Sequence, residues 1–184
     1  MKHYYKKWNT QNHIDSKIKL VEEIIKPHIK ENPKNILDIG CGRAIESEYL
    51  QKEYGSHLYL MEGSPISGRD RFSAWGKADT FNFYHDVELL KEDYNRRNLQ
   101  YTFLDIGESV DIPEITFDFI FSFLSCGFHY PVEEYISLIK EHSDENTLIM
   151  FDIRKDKFNE QMKYFKEYDI IQTERKYHKV IVKL

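Results

Sequence analysis

Apolar residues recur with two different periods along the chain, and the alternation between the periods predicts its elements. In "HIDSKIKLVEEIIKPHI", Ile14, Ile18, Val21, Ile25 and Ile29 fall on one helical stripe, with Pro27 marking a bend or end near the last turn. "NILDIG", from Asn35, reads as a short buried strand. "RAIESEYLQKEYG" reads as a helix closed by Gly55, and "HLYLMEGSP" as a strand stopped by turn residues. After a loop from Gly63 to about Asn82, "YHDVELLKEDYNRRN" is helical and "LQYTFLDI" is strand. "FDFIFSFL" is so continuously apolar that it predicts a central strand covered on both faces. "PVEEYISLIKEH" starts with Pro131 at a helix N-terminus, "TLIMFDI" is a strand and "DKFNEQMKYFKEY" a helix. The chain closes with "DIIQTE" and "HKVIVKL" around a short "RKY" link, an antiparallel hairpin. Strand and helix alternate up to that hairpin. The order predicts an α/β fold: a three-layer, doubly wound, mostly parallel seven-stranded sheet with a C-terminal antiparallel hairpin.

Composition narrows the setting. With 184 residues, 41% hydrophobic and 15% aromatic, the chain can bury one substantial core. Residues 1–184 are therefore expected to form a single domain, with 1–32 as an N-terminal helical cap and 63–86 as a lid loop over the site. Lys and Arg total 26 against 31 Asp and Glu, a net charge of -5, which leaves no broad basic footprint for nucleic acid or for an anionic membrane. "MKHYYKKWNTQNH" is basic but has no apolar stretch behind it, and no segment approaches the roughly 18 apolar residues of a membrane span. A cytoplasmic protein is expected. Cys41 and Cys126 are too few for a disulfide framework and lack metal-ligand spacing, so both are expected to be reduced thiols.

In such a sheet, ligands bind at the carboxyl ends of the strands, near the switch in strand order. "NILDIGCGRA" lies at such an end. Gly40 and Gly42 can take backbone angles closed to other residues and let a ligand approach the main chain. A dinucleotide fingerprint would continue G-x-G-x-x-G, but Ile45 stands at its third glycine position, which argues against NAD or FAD. Glu62 ends the next strand, 22 residues beyond Gly40, the usual place for a carboxylate that accepts hydrogen bonds from ribose hydroxyls. Any one of these residues would pass for a turn glycine or a solvated acid. Together, at this spacing, they point to a nucleoside.

From about Ile14 to Leu184 the sequence resembles the class I (Rossmann-like) S-adenosylmethionine-dependent methyltransferases. "LDIGCGRA" is similar to the family's first motif, an acid followed by alternating glycines, with Ala44 where a third glycine is common. The resemblance implies S-adenosylmethionine as cofactor and S-adenosylhomocysteine as product. It implies that Asp38, Gly40 and Gly42 surround the amino acid part, that Glu62 holds the ribose and that Asp105 in "FLDI" faces the adenine amino group. It also puts Cys41, Gly63, Ile106 and Ser122 in the cofactor site.

Methyl transfer needs an in-line approach of the nucleophile to the sulfonium methyl, and a base where the nucleophile carries a proton. The base is expected at the end of the fourth strand, in "SFLSCGFHYP". There His129 and Tyr130 occupy the place where many small-molecule members of the family carry catalytic residues, and a histidine accepts protons near neutral pH. A histidine packed at a strand-to-helix turn is the alternative, and Ser125 and Cys126 are candidate pocket lining. The stretch lacks the Pro-Pro-aromatic signature of enzymes that methylate exocyclic base amines. It also lacks the acid that metal-dependent O-methyltransferases need there, so Asp152, after the fifth strand, would be a lone ligand and no metal is expected.

Between Gly63 and Asp86, Arg69, Arg71 and Lys77 stand among Phe72, Trp75, Phe81 and Phe83, a mix suited to an anionic or ring-containing acceptor. "HYYKKWN" near the N-terminus has similar character. The expected activity is methylation of an oxygen or nitrogen of a small molecule, with nucleic acid and membrane not expected as partners. A cofactor-cleaving enzyme and a non-catalytic cofactor-binding partner protein are the alternatives on the same fold.

Overall fold

The computed structural model describes residues 10–63, 86–106 and 112–184. Both the lid segment, apart from its end residues Gly63 and Asp86, and the basic N-terminal residues 1–9 lie outside the described residues. The sheet contains β1 (Asn35–Ile39), β2 (His57–Glu62), β3 (Tyr101–Asp105), β4 (Phe119–Ser122), β5 (Leu148–Arg154), β6 (Glu167–Thr173) and β7 (Tyr177–Lys183). Its order is β3-β2-β1-β4-β5-β7-β6. β1 pairs in parallel with both β2 and β4, so the order reverses between β1 and β4. In open α/β sheets such a reversal is where ligands bind, at the carboxyl ends of the strands. Only β7 runs against its neighbours, pairing antiparallel with β5 and β6. Strand alternation, the mostly parallel seven-stranded sheet and the terminal antiparallel hairpin are those the sequence predicts.

Successive strand residues point to opposite faces, and each face has its own cover. Ile36, Leu58, Leu60, Phe119, Phe121 and Met150 pack with Val21, Ile25, Leu90 and Tyr94. Those partners come from the N-terminal helix and from α3 (Val87–Arg96), while α2 (Ile45–Tyr54) contributes Leu50. On the other face Leu37, Ile39, Tyr59, Ile120, Phe151 and Val180 pack with Val132, Tyr135, Ile139 and Met162.

The helical stripe at the N-terminus is α1 (Gln11–Leu20), continued by a π turn, Val21–Ile25, and a 3-10 turn, Lys26–His28. Pro27, which has no N–H, sits in that last turn. The widened turn brings Val21 and Ile25, both 0% exposed, onto the sheet.

Three elements are shorter than their periodicity suggests. β4 is only Phe119–Ser122, because Leu124 turns left-handed at φ 63°. "PVEEYISLIKEH" holds a 3-10 turn and a six-residue helix, α4 (Ile136–Glu141). "DKFNEQMKYFKEY" holds only α5 (Phe158–Met162), and Glu167 and Tyr168 already belong to β6. There Met162 and Phe165 reach the core from a short turn, so three or four inward residues mimic a longer helical stripe.

Candidate functional site

The glycine turn leaves β1 with three left-handed residues: Gly40 at φ 74°, Gly42 at 48° and Ala44 at 50°. Ala44 therefore takes, as an alanine, the conformation for which a third glycine would serve. Gly40 N and Cys41 N both donate to Met61 O, at 2.8 and 3.1 Å, which stitches the turn to the end of β2. A Cβ on Gly40 would lie 2.1 Å from Ser125 Oγ, so the loop after β4 closes directly on the bare backbone. That contact is why glycine stands there.

Around the turn are carboxylates. Glu62, 9% exposed, accepts from Gly42 N and Gly63 N, both at 3.0 Å. Burial, opposed by those two bonds and aided by the charge of Asp105, pushes its carboxyl up to about 7. Asp38, 4% exposed, accepts from Ser47 Oγ of α2 at 2.5 Å, and burial holds it well above the usual carboxylate range. Asp105 lies half-buried, in register with Glu62 across β2 and β3. These acids fit a ligand rich in donors and positive charge. S-adenosylmethionine brings ribose hydroxyls, an adenine amine, an ammonium and a sulfonium.

α3 holds the turn from outside. Tyr94, 0% exposed, donates its hydroxyl to Gly42 O and stands 3.4 Å from Cys41 Sγ, whose thiol can donate to it. Arg97 grips the same segment, donating to Arg43 O at 2.7 Å and pairing with Glu48 and Asp93. Neither residue is visible as a site residue in the sequence, since each lies some fifty positions from the turn. From α1, Lys17 pairs with Glu46 at 2.5 Å, and the charges of Asp152 and Asp38 also act on it.

Several sequence-predicted residues make contacts inside the fold. Ser122 is 0% exposed, donates to Ile39 O at 2.6 Å and accepts from Cys126 N at 2.8 Å, so its hydroxyl fastens β1 to the loop after β4. Ile106 is core, its N–H bonded to Glu62 O at 3.0 Å. Cys41 is 8% exposed and faces Tyr94, so its role is to brace the turn. Tyr130 is 6% exposed among Cys126, Tyr135 and Ile153, which makes it a core residue and leaves the catalytic expectation on His129. Cys126, 0% exposed, is core as well. Asp152 is bound to Lys179 at 2.6 Å, with both residues 1% exposed and the ammonium 3.5 Å from the centre of the Phe123 ring. It is a buried ion pair, and among the described residues no group of three His, Cys, Asp or Glu could hold a metal.

His129 is half-buried on the loop after β4, its ring edge-on to Phe128 with centroids 4.8 Å apart. Burial, then the charges of Arg154 and Lys176, hold its pKa below the ordinary value. That shift favours the neutral imidazole, the form able to accept a proton.

No curated protein matches the chain in sequence. Among the described residues no helix is long and apolar enough to cross a membrane. Solved structures share the fold at low identity. A ribosomal protein methylase from Lactobacillus delbrueckii subsp. bulgaricus aligns at TM-score 0.61 and 12% identity, over 94% of this chain and 79% of that one. A precorrin-6y methyltransferase from Geobacter metallireducens aligns at 0.55 and 13%, over 95% and 88%. A 16S rRNA methyltransferase from T. thermophilus, in complex with AdoMet and guanosine, aligns at 0.60 and 11%, over 95% of this chain and only 43% of that one. The acceptors named for these three differ in kind, so they bear on the fold alone. The sequence profile of a family described as "Methyltransferase domain" matches residues 9–179. That match spans the glycine turn, both acidic strand ends and most of the terminal hairpin, and by it the chain belongs to the class I S-adenosylmethionine-dependent methyltransferases.

Proposed function

We propose that the chain methylates an oxygen or nitrogen of a small molecule and releases S-adenosylhomocysteine, with His129 as the base. The observation that carries this reading is an acidic cradle built on the main chain at the β1–β4 switch, with a half-buried neutral imidazole on the same sheet edge. The cofactor supplies a methyl group on a positively charged sulfur. Glu62 takes hydrogen bonds from the ribose hydroxyls, Asp105 faces the adenine amine, and Asp38 with the Gly40–Gly42 turn adjoins the amino acid part. His129 takes the acceptor's proton while the acceptor's oxygen or nitrogen bonds to the methyl carbon and the carbon–sulfur bond breaks. A cytoplasmic setting belongs to the same reading, supported by two buried free thiols.

The test uses labelled S-adenosylmethionine and a fractionated metabolite extract, with products identified by a one-methyl mass increase. His129→Ala should lower turnover by about 100-fold or more at pH 7 and leave cofactor affinity nearly constant. Unchanged turnover would return His129 to a packing role. A labelled product that is a cofactor fragment, with no methylated acceptor, would favour cleavage over transfer.

A further inference from the structure

The chain carries a net charge of -5, yet the end of β5 and the β6–β7 turn bring Arg154, Lys155, Lys157, Arg175 and Lys176 together. Two bonds fasten these segments side by side. Arg154 is in register with Tyr177 across β5 and β7, and Lys155 N donates to Lys176 O at 3.0 Å. Asp156 takes the Arg154 guanidinium through two oxygens, at 2.9 and 2.7 Å, and Glu160 takes Lys157 at 3.1 Å. Lys155, Arg175 and Lys176 are exposed and form no ion pair among the described residues. Among the described residues these three cations of the patch have no acidic partner.

The loop bearing His129 leans on this patch. Arg154 N donates to Gly127 O at 3.0 Å, and a Cβ on Gly127 would lie 2.4 Å from Ile153 Cδ1, so the loop sits tightly against β5. The Arg154 guanidinium lies 5.8 Å from the Phe128 ring, and Phe128 lies 5.8 Å from Tyr177, edge to face. An imidazole, two aromatic rings and unmatched cations thus adjoin at one end of the sheet.

We infer that the methyl acceptor is a small ring-bearing acid whose carboxylate or phosphate sits on Lys155 and Lys176, with its ring against Phe128 and Tyr177 and its nucleophilic atom towards His129. The inference rests on the acceptor side of the proposed function and narrows it to one substrate class. A ring against Phe128 takes dispersion and quadrupole contacts, while the two ammonium groups fix its charged end. A polyanion such as RNA would need cations spread along a track, whereas this patch spans two adjoining turns. An anion seated there would also offset the charges that hold His129 low, making the imidazole a stronger base only when an acceptor is present.

The experiment follows the His129 ring by NMR in the full chain with S-adenosylhomocysteine added, using benzoate, phenyl phosphate, benzyl alcohol and a uridine decamer as probes. Benzoate or phenyl phosphate should bind with a Kd of about 1–10 mM, the scale open to a ligand of about nine to eleven heavy atoms, and should raise the imidazole pKa. Benzyl alcohol should do neither. Lys155→Ala with Lys176→Ala should weaken binding of the acid by about fivefold or more, and unchanged S-adenosylhomocysteine affinity shows that the variant is folded. The inference is overturned if the alcohol binds as well as the acid, if neither acid binds, if the double variant binds the acid as wild type does, or if the decamer binds more tightly than the acid through the same lysines. Loss of methyl transfer in His129→Ala without any acid binding would sink this inference and leave the proposed function standing. Acid binding together with unchanged turnover in His129→Ala would do the reverse.

Discussion

On the β1–β2 side of the carboxyl edge the site is made of main chain. Gly40 N and Cys41 N share Met61 O, Gly42 N and Gly63 N share the Glu62 carboxylate, and Gly42 O takes the Tyr94 hydroxyl. On the β5–β7 side it is made of charged and aromatic side chains: the buried Lys179–Asp152 pair under Phe123, and Arg154, Lys176 and Phe128 around His129. A backbone cradle fits one ligand and tolerates little change. Side chains on short irregular connections can be exchanged without disturbing the sheet, and the proposed function accordingly gives the cofactor to the first side and the acceptor to the second.

The largest effect should come from the buried pair. Lys179→Met leaves Asp152 as an uncompensated carboxylate and should cost about 3–5 kcal/mol in urea denaturation. Adding Asp152→Leu should recover most of it, and a single variant as stable as wild type would show that the pair is not closed off from water.

Next comes the cradle itself. Gly40→Ala places a Cβ 2.1 Å from Ser125 Oγ and 2.3 Å from Ser125 Cβ, at a φ of +74°. It should cost about 2–4 kcal/mol and abolish measurable cofactor binding. Ser125→Gly in the same chain should relieve the collision but not the backbone strain, so recovery should be partial. Full recovery would mean that the left-handed conformation carries no cost.

Tyr94→Phe keeps the ring and removes the hydroxyl that meets Gly42 O and Cys41 Sγ. A loss of about 1–2 kcal/mol is expected, with weaker cofactor binding, because the turn then holds its shape less firmly. Equal cofactor affinity in wild type and variant would confine Tyr94 to packing.

A pH dependence comes from Glu62, spread over more than two pH units. Its folded pKa, about 7, stands above its ordinary value of 4.5, so its contribution to stability is complete below 4.5 and is lost as pH rises through 7. Without cofactor, thermal stability of the wild type should fall relative to Glu62→Gln across that window. Ribose hydroxyls donate to the ionised carboxylate, so cofactor affinity should rise with pH by up to about tenfold per unit below 7, and Glu62→Gln should flatten the rise. A parallel pair of stability curves would place Glu62 in water.

The two sides also differ in how far the sequence discloses them. Gly40, Gly42 and Glu62 follow or end consecutive strands, so local spacing is enough to bring them together, whereas Asp105 enters only through the family resemblance. Tyr94 was not legible, because the helix that carries it meets the turn only once α3 packs on the β2 side of the sheet. Ser122 looked like a ligand contact since it ends β4 near the switch, but its hydroxyl has both partners inside the fold. Lys179 sits in the alternating "HKVIVKL", where a lysine reads as outward-facing, and only its register with Asp152 shows that it is buried. Helix lengths failed where core residues on short turns imitate a helical stripe, as at Met162 and Phe165.

Calorimetric titration of S-adenosylhomocysteine into wild type and Glu62→Ala, with NAD as the competing ligand, tests the cradle most directly. Wild type should bind S-adenosylhomocysteine and ignore NAD, and Glu62→Ala should weaken binding by about 1–3 kcal/mol, the scale of hydrogen bonds lost to a charged group. Equal affinity in the two proteins, or displacement of S-adenosylhomocysteine by NAD, would contradict the account.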